Sequence, residues 1–121
     1  MKYFYLFAGE DGISRFEDRE VEFTLQDFAP PAPALYLSGS EAATQLVYVT
    51  LPAGWTGEQH RSPKKQVLFC LSGTILVTAG DGSSREIRAG DVWRMEDTTG
   101  PGHTTSVIGD EEVRLGIVQL E

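Results

Sequence analysis

The alternation of apolar and polar residues constrains the fold of this sequence more than any other feature. Val21, Phe23 and Leu25 would share one strand face, with the polar residues between them on the other. Similar short runs recur to the C-terminus, whereas the 3.6-residue periodicity of amphipathic helices is nearly absent. Further strands are predicted at 3–8, 44–51, 66–71, 74–79, 85–88, 91–95, 104–108 and 113–120. With the remaining N-terminal pieces, the pattern predicts about nine or ten strands in one all-β domain spanning residues 1–121.

Turn-forming residues separate these runs at intervals of roughly 8 to 12 residues, which is typical of a β-sandwich or β-barrel. Four glycines are interpreted as turn positions that need a positive φ, rather than as ligand contacts. They are Gly54, Gly73, Gly90 and Gly100. The proline-rich segment 27–37 cannot pair regularly, so it is predicted to cross the domain in an extended form.

Composition excludes several classes of function. The chain has 18 acidic and 10 basic residues, a formal net charge of −8, and no basic stripe that could bind nucleic acid. No apolar run approaches the roughly 20 residues that cross a bilayer, and Tyr3–Ala8 is too short for the core of a signal peptide. A cytoplasmic protein without membrane contact is therefore expected. The single cysteine, Cys70, lies in an apolar run and is interpreted as a buried structural thiol.

The segment Gly54–Gly73, GWTGEQHRSPKKQVLFCLSG, resembles the first of the two sequence motifs of the cupin superfamily. Gly54, His60 and Gly73 fall at the motif spacings. Ser62 stands at the position of the second histidine, and Gln66 at the position of the glutamate.

The segment Gly90–Val107, GDVWRMEDTTGPGHTTSV, resembles the second cupin motif. Gly90, Gly100 and His103 match it, although the spacer is two residues longer. Thr98 replaces the motif proline and Val107 the asparagine. The resemblance, which is closest to small bacterial single-domain cupins known mainly by fold, implies a double-stranded β-helix (a jelly-roll barrel). It does not supply a reaction.

The resemblance also implies an incomplete set of metal ligands, because metal-binding cupins usually present three histidines and a glutamate at these positions. His60 and His103 match, Gln66 could offer an amide oxygen, and Ser62 offers only a hydroxyl. Such a set supplies no negative charge, so we expect weak affinity for a divalent cation, with Fe, Mn, Zn and Ni left open. Glu58 and Asp97 are candidate extra carboxylates. The alternative for both is a solvated loop charge.

The same motif positions predict a ligand pocket centred on His60 and His103, with Ser62 and Gln66 in its wall. Tyr48, Trp55 and Trp93 are aromatic candidates for its lining, although strand aromatics more often belong to the core. Without a metal, either histidine could act as a general base. A basic cluster, Arg61, Lys64 and Lys65, predicts an entrance for an anionic ligand, and the alternative is an ordinary solvated loop.

These observations predict a small-molecule-binding protein and leave open whether it is an enzyme. The alternative is a divalent-metal-dependent cupin enzyme, of dioxygenase or isomerase/epimerase type, that acts on a small organic acid or sugar derivative. A third reading is a structural dimer whose motifs have decayed. Because Val67–Leu71 is apolar on both faces, a second layer must cover it, and a homodimer is expected.

Overall fold

The computed structural model describes residues 1–121 and contains twelve β-strands and no α-helix, which confirms the all-β prediction. No segment forms a helix that could cross a membrane. The strands are β1 (Lys2–Ala8), β2 (Ser14–Glu20), β3 (Thr24–Gln26), β4 (Leu35–Leu37), β5 (Ala43–Leu51), β6 (Thr56–His60), β7 (Gln66–Ser72), β8 (Thr74–Thr78), β9 (Ser84–Arg88), β10 (Val92–Glu96), β11 (His103–Ile108) and β12 (Val113–Leu120).

Two sheets enclose the core, in the arrangement expected for a cupin fold. The larger sheet has six strands in the order β2-β1-β10-β7-β12-β5, and the smaller has four in the order β6-β11-β8-β9. The ladders do not continue from one sheet to the other, and only β1 and β10 pair in parallel. Alternate residues of both sheets meet in one apolar cluster, because a strand directs successive side chains to opposite faces. Its fully buried members include Leu6, Ile75, Val77, Ile87 and Val113.

The chain between Glu22 and Glu41, here called the arm, differs from the prediction. Alternation predicted one strand through 20–25, but β2 ends at Glu20 and the short β3 begins at Thr24. β3 pairs only with β4, and the proline-rich segment lies largely in the connection between them. The apolar side chains of the alternating run 20–25 have no core to face, because Phe23 is 46% exposed and Leu25 is 57% exposed. Three of the twelve strands, β2, β4 and β6, lie outside the individually predicted segments.

Glycine conformation agrees with the sequence interpretation and also explains one close approach between strands. Gly54, Gly73, Gly90 and Gly100 all have positive φ, as predicted. Gly102, which precedes β11, has a φ of +83°, and a Cβ there would lie 2.0 Å from the carbonyl oxygen of His60. Only glycine therefore allows β11 to begin directly beside the end of β6.

Candidate functional site

The structure brings together the two histidines, which are far apart in sequence. His60 ends β6, His103 begins β11, and the two are direct partners across the ladder. Their ring centroids are 5.0 Å apart and the ring planes are inclined by 52°. His103 is buried, with 2% of its surface exposed, whereas His60 is exposed. The pair thus extends from the buried interior to the solvent-exposed surface.

A buried hydrogen-bonded chain holds His103 in place. The Asp97 carboxylate contacts His103 Nδ1 at 2.5 Å through Oδ2, and its Oδ1 accepts a hydrogen bond from Ser62 Oγ at 2.7 Å. The Ser62 backbone N–H donates to the Asp97 carbonyl oxygen at 3.1 Å. Asp97 is fully buried, so its interpretation as a solvated loop charge is wrong. The buried charge is tolerated because its two oxygens each have a polar partner.

The backbone that precedes His103 is also fixed. Ser14, which is fully buried, donates through Oγ to the Gly102 carbonyl oxygen at 2.7 Å and accepts from the Gly80 N–H at 2.7 Å. β1 and β2 therefore take part in positioning the histidine through the turn that joins them. Sequence reasoning missed Ser14 because it stands far from both motifs.

Hydrogen bonding sets the tautomer of both imidazoles. His60 Nδ1 lies 2.8 Å from the backbone carbonyl oxygen of Glu58, which only accepts hydrogen bonds. A carboxylate oxygen of Asp97 likewise accepts from His103 Nδ1. Each neutral ring therefore carries its proton on Nδ1, and Nε2 keeps a free lone pair. In this neutral form the site presents two unprotonated imidazole nitrogens.

Gln66 and Trp93 lie on the inner face of the larger sheet. Gln66 is buried, but its amide is engaged: Nε2 lies 3.5 Å from Met95 Sδ, and Oε1 accepts from Gln119 Nε2 at 3.2 Å. The Trp93 ring meets the His103 ring edge-on, with centroids 5.2 Å apart. Its buried indole N–H has no hydrogen-bond partner within the protein.

Two other candidates are not brought to the histidines. Tyr48 is 74% exposed and stands opposite Gly116 on the outer face of the larger sheet, so it does not face the interior. Glu58 is exposed, and it contacts His60 only through its backbone carbonyl. Trp55 packs against the core.

The basic cluster of Arg61, Lys64 and Lys65 lies in the connection between β6 and β7, directly after His60. Arg61 and Lys64 are exposed and have no carboxylate partner within 4.0 Å. The Lys65 ammonium lies 3.5 Å from a Glu96 carboxylate oxygen. Two of the three cations thus remain unpaired in the segment that follows His60.

The donor set does not fit a resident divalent cation. No group of three or more His, Cys, Asp or Glu side chains is placed to hold a metal ion. Asp97 is committed to His103 and Ser62, and the Gln66 amide to Met95 and Gln119. Two neutral imidazoles remain, without the carboxylate of a typical two-histidine iron site.

A separate concavity lies away from the histidines. A groove of about 570 Å³ lies between the two ends of the arm and the outer face of the larger sheet. Arg94 in this groove bonds both carboxylate oxygens of Glu41, at 2.6 and 2.8 Å, and Glu96 at 2.6 Å. The Arg94 hydrogen bond holds the pKa of Glu41 below its ordinary value. Burial opposes ionisation of Glu96, but the hydrogen bond and charge of Arg94 lower its pKa on balance.

Comparison with known proteins places this geometry in a family. A family model described as "Cupin domain" matches residues 47–119, and no curated protein matches. A cupin 2 conserved barrel domain protein from Salinispora arenicola CNS-205 shares 16% identity with a TM-score of 0.54, over 84% of this chain and 76% of that one. A cupin domain from Bordetella pertussis Tohama I shares 14% with a TM-score of 0.53, over 84% and 93%. The Schizosaccharomyces pombe Cnp3 cupin domain shares 18% with a TM-score of 0.53, over 100% and 83%. The chain belongs to the cupin family.

Proposed function

We propose that this protein binds a small polar organic molecule against His60 and His103. The observation that carries the proposal is the hydrogen bonding of Nδ1 in both rings, which leaves two Nε2 lone pairs at one site. An imidazole with one nitrogen fixed in this way is a preorganised acceptor for a hydroxyl or other acidic proton. His60 is exposed and His103 is buried behind it, so a ligand would enter past His60.

The surroundings favour an anionic ligand that also carries a hydroxyl group. Arg61 and Lys64 add unpaired positive charge in the segment directly after His60, in a chain of net charge −8. The Trp93 N–H is an unpaired buried donor next to His103, and such a donor is stabilised by an oxygen acceptor. A small organic acid or a sugar derivative with an acidic group has both kinds of atom.

A second candidate function, proton-transfer catalysis, is favoured by the Asp97–His103 pair. A buried carboxylate on Nδ1 orients the ring and stabilises the imidazolium that forms when Nε2 takes a proton. In this role His103 would be the general base and Asp97 a positioning residue. Binding without turnover uses the same geometry, so exchange of a carbon-bound proton of the bound ligand with solvent separates the two functions.

Titration of the imidazole nitrogens tests the proposal. Uniformly ¹⁵N-labelled protein would be titrated with acetate, malonate and glucose 6-phosphate, and the long-range ¹H–¹⁵N signals of both rings followed. We expect at least one probe to shift both rings in a saturable way. His60→Asn should raise the dissociation constant of that probe by at least about 10-fold, a loss of about 1.4 kcal/mol in binding free energy. The matched control Glu58→Gln should change affinity by less than about twofold, because the Glu58 side chain is exposed and makes no hydrogen bond or ion pair within the chain.

Two outcomes would contradict the proposal. In the first, no probe moves either ring, or His60→Asn binds as tightly as the wild type. In the second, protein purified without chelator carries one transition-metal ion per chain that is lost in both His60→Ala and His103→Ala. That result would favour the divalent-metal-dependent enzyme.

A further inference from the structure

Three glutamines form a row of amides across the inner face of the larger sheet. Gln119 of β12 is the direct ladder partner of Gln66 on β7 and of Gln45 on β5. Residues directly opposite each other on antiparallel strands have Cβ atoms about 5 Å apart, which is within reach of a glutamine side chain. Gln66 is buried, Gln119 is half-buried and Gln45 is exposed. The row, here called the amide row, therefore extends from the interior to solvent.

The amide row adjoins the apolar wall that contacts the buried histidine. One step further along the strands, the inner positions are ladder partners in the order Val47, Ile117, Leu68 and Trp93. The Trp93 ring meets the His103 ring edge-on. Inner positions of a strand are two residues apart, a step of about 6.6 Å. The amide row is thus the next layer of side chains beyond this wall.

The open side of the sandwich brings the same layer close to His60. β5 and β6 follow each other in the chain and are edge strands of the two sheets. Val47 lies four residues before the end of β5 and His60 four residues after the start of β6, so both stand at the same level. Val47 faces inward and is nevertheless 46% exposed, which marks an opening between the two edges. Gln45, the next inner residue of β5, lies at the rim of this opening.

Hydrogen bonding determines which atom each amide presents. A thioether sulfur is only a weak acceptor, so Gln66 directs Nε2 to Met95 Sδ at 3.5 Å and Oε1 to Gln119. Gln119 must then donate through its Nε2, at 3.2 Å, and its own Oε1 has no hydrogen-bond partner within the chain. The Gln45 amide makes no hydrogen bond within the chain either. A structural ladder would pair all three amides, whereas the outer end of this row keeps unpaired acceptor and donor atoms.

We infer that the amide row is the subsite for the hydroxyl groups of a polyhydroxylated acid, such as a sugar acid. The inference rests on the proposed function, because it assigns the remainder of a ligand that is bound against His60 and His103. A hydroxyl both donates and accepts, and a primary amide offers both kinds of atom, so neighbouring amides match neighbouring hydroxyls. A simple carboxylic acid of the same length has no group that could pair with these amides.

The neutrality of the row suits a ligand that is also anionic. The chain has a net charge of −8, and carboxylates at these three positions would repel an acid. Amides supply the same hydrogen-bonding oxygen without the charge. The acidic group of the ligand would instead be attracted by Arg61 and Lys64, which follow His60 and have no carboxylate partner.

Gluconate and hexanoate test the inference as a matched pair of probes, because they have carbon chains of equal length and only gluconate carries hydroxyls. Calorimetric titration of the full chain would measure both dissociation constants, and the imidazole ¹⁵N signals would be followed in parallel. The wild type should bind gluconate at least about 10-fold more tightly than hexanoate. Gln119→Met and Gln45→Met should each raise the dissociation constant for gluconate at least about fivefold and change that for hexanoate by less than about twofold.

Gln26→Met is the matched control, since Gln26 is exposed on β3 and makes no hydrogen bond within the chain. It should leave both dissociation constants unchanged. Urea unfolding would show whether Gln119→Met remains folded, and the exposed position of Gln45 keeps the test valid if it does not.

The possible failures of the two proposals differ. If gluconate shifts both imidazole rings but binds no more tightly than hexanoate, or binds Gln45→Met and Gln119→Met as tightly as the wild type, the amide row is not its subsite. Those results would overturn this inference and leave the proposed function standing. If neither gluconate nor any other probe shifts the imidazole signals, the proposed function fails and this inference fails with it.

Discussion

The interior at His103 and the outer face at Tyr48 depart from the usual distribution of residues in opposite directions. At His103, ionisable and hydroxyl side chains are buried, and Asp97 and Ser62 find their partners within the chain. On the outer face, large apolar side chains are exposed and have no cover within the chain. Buried polar groups persist when every atom is paired, and exposed apolar patches persist when something else covers them. In the first region the chain of Asp97, Ser62 and His103 is satisfied within the protein, whereas the second region has no cover within the chain.

The largest effect that bears on this comparison should come from Gly102→Ala. Its Cβ would lie 2.0 Å from the His60 carbonyl oxygen, which is backbone and cannot move aside without separating β6 from β11. We expect a loss of about 4 kcal/mol in the free energy of unfolding, measured with urea. The matched control is Gly82→Ala, which has a φ of +89° and open space around its Cβ, and which should lose about 1 kcal/mol. Equal losses in the two variants would show that the close strand approach does not matter.

The next largest effect should come from Asp97→Ala, which leaves His103 and Ser62 buried without their partner. We expect a loss of about 3 kcal/mol in the free energy of unfolding, because removal of one member of a buried pair leaves the other without a partner. The exposed acidic residue Asp110 provides the control, and Asp110→Ala should change the free energy of unfolding by less than about 0.5 kcal/mol. A comparably small loss for Asp97→Ala would mean that the interior does not depend on this chain of hydrogen bonds.

The smallest effect concerns the ion pair between Arg94 and Glu41, the residue at which the arm ends. The pKa of Glu41 is held below its ordinary value of 4.5 by the Arg94 hydrogen bond. The ion pair therefore contributes stability that is fully present above about pH 4.5 and is lost as the pH falls through the lower folded-state pKa. It is worth at most about 1 kcal/mol, because solvent screens the exposed Glu41 carboxylate.

Urea titrations at several pH values would measure this contribution. Arg94→Met should be less stable than the wild type at pH 7, and the difference should shrink below pH 4.5 as Glu41 takes up a proton. A difference that stayed constant with pH would show that Arg94 contributes by packing rather than by its charge.

Much of the fold could be predicted from the sequence because its signals are local. Two-residue alternation located most strands, and turn chemistry identified four glycines with positive φ. The motif spacings indicated His60 and His103 as a pair, although no local signal gives the distance between their rings.

The missed features depend on tertiary contacts. Asp97 stands in the polar run Glu96–Thr99, where nothing local distinguishes a buried carboxylate from a solvated one. In β5 both faces are apolar, so alternation cannot decide whether Tyr48 or Val49 faces the core. Residues 20–25, at the start of the arm, alternate like a strand. Alternation does not show whether the layer that covers their apolar face lies within the chain or in another copy.

The most direct test of the central claim is the tautomer of both histidines in the ligand-free protein. Long-range ¹H–¹⁵N spectra at neutral pH distinguish a proton on Nδ1 from one on Nε2. The geometry predicts the Nδ1–H form for both rings, because each Nδ1 faces an oxygen that only accepts hydrogen bonds. A proton on Nε2 of either ring, or rapid exchange between the two forms, would contradict the claim that the site presents two free nitrogens.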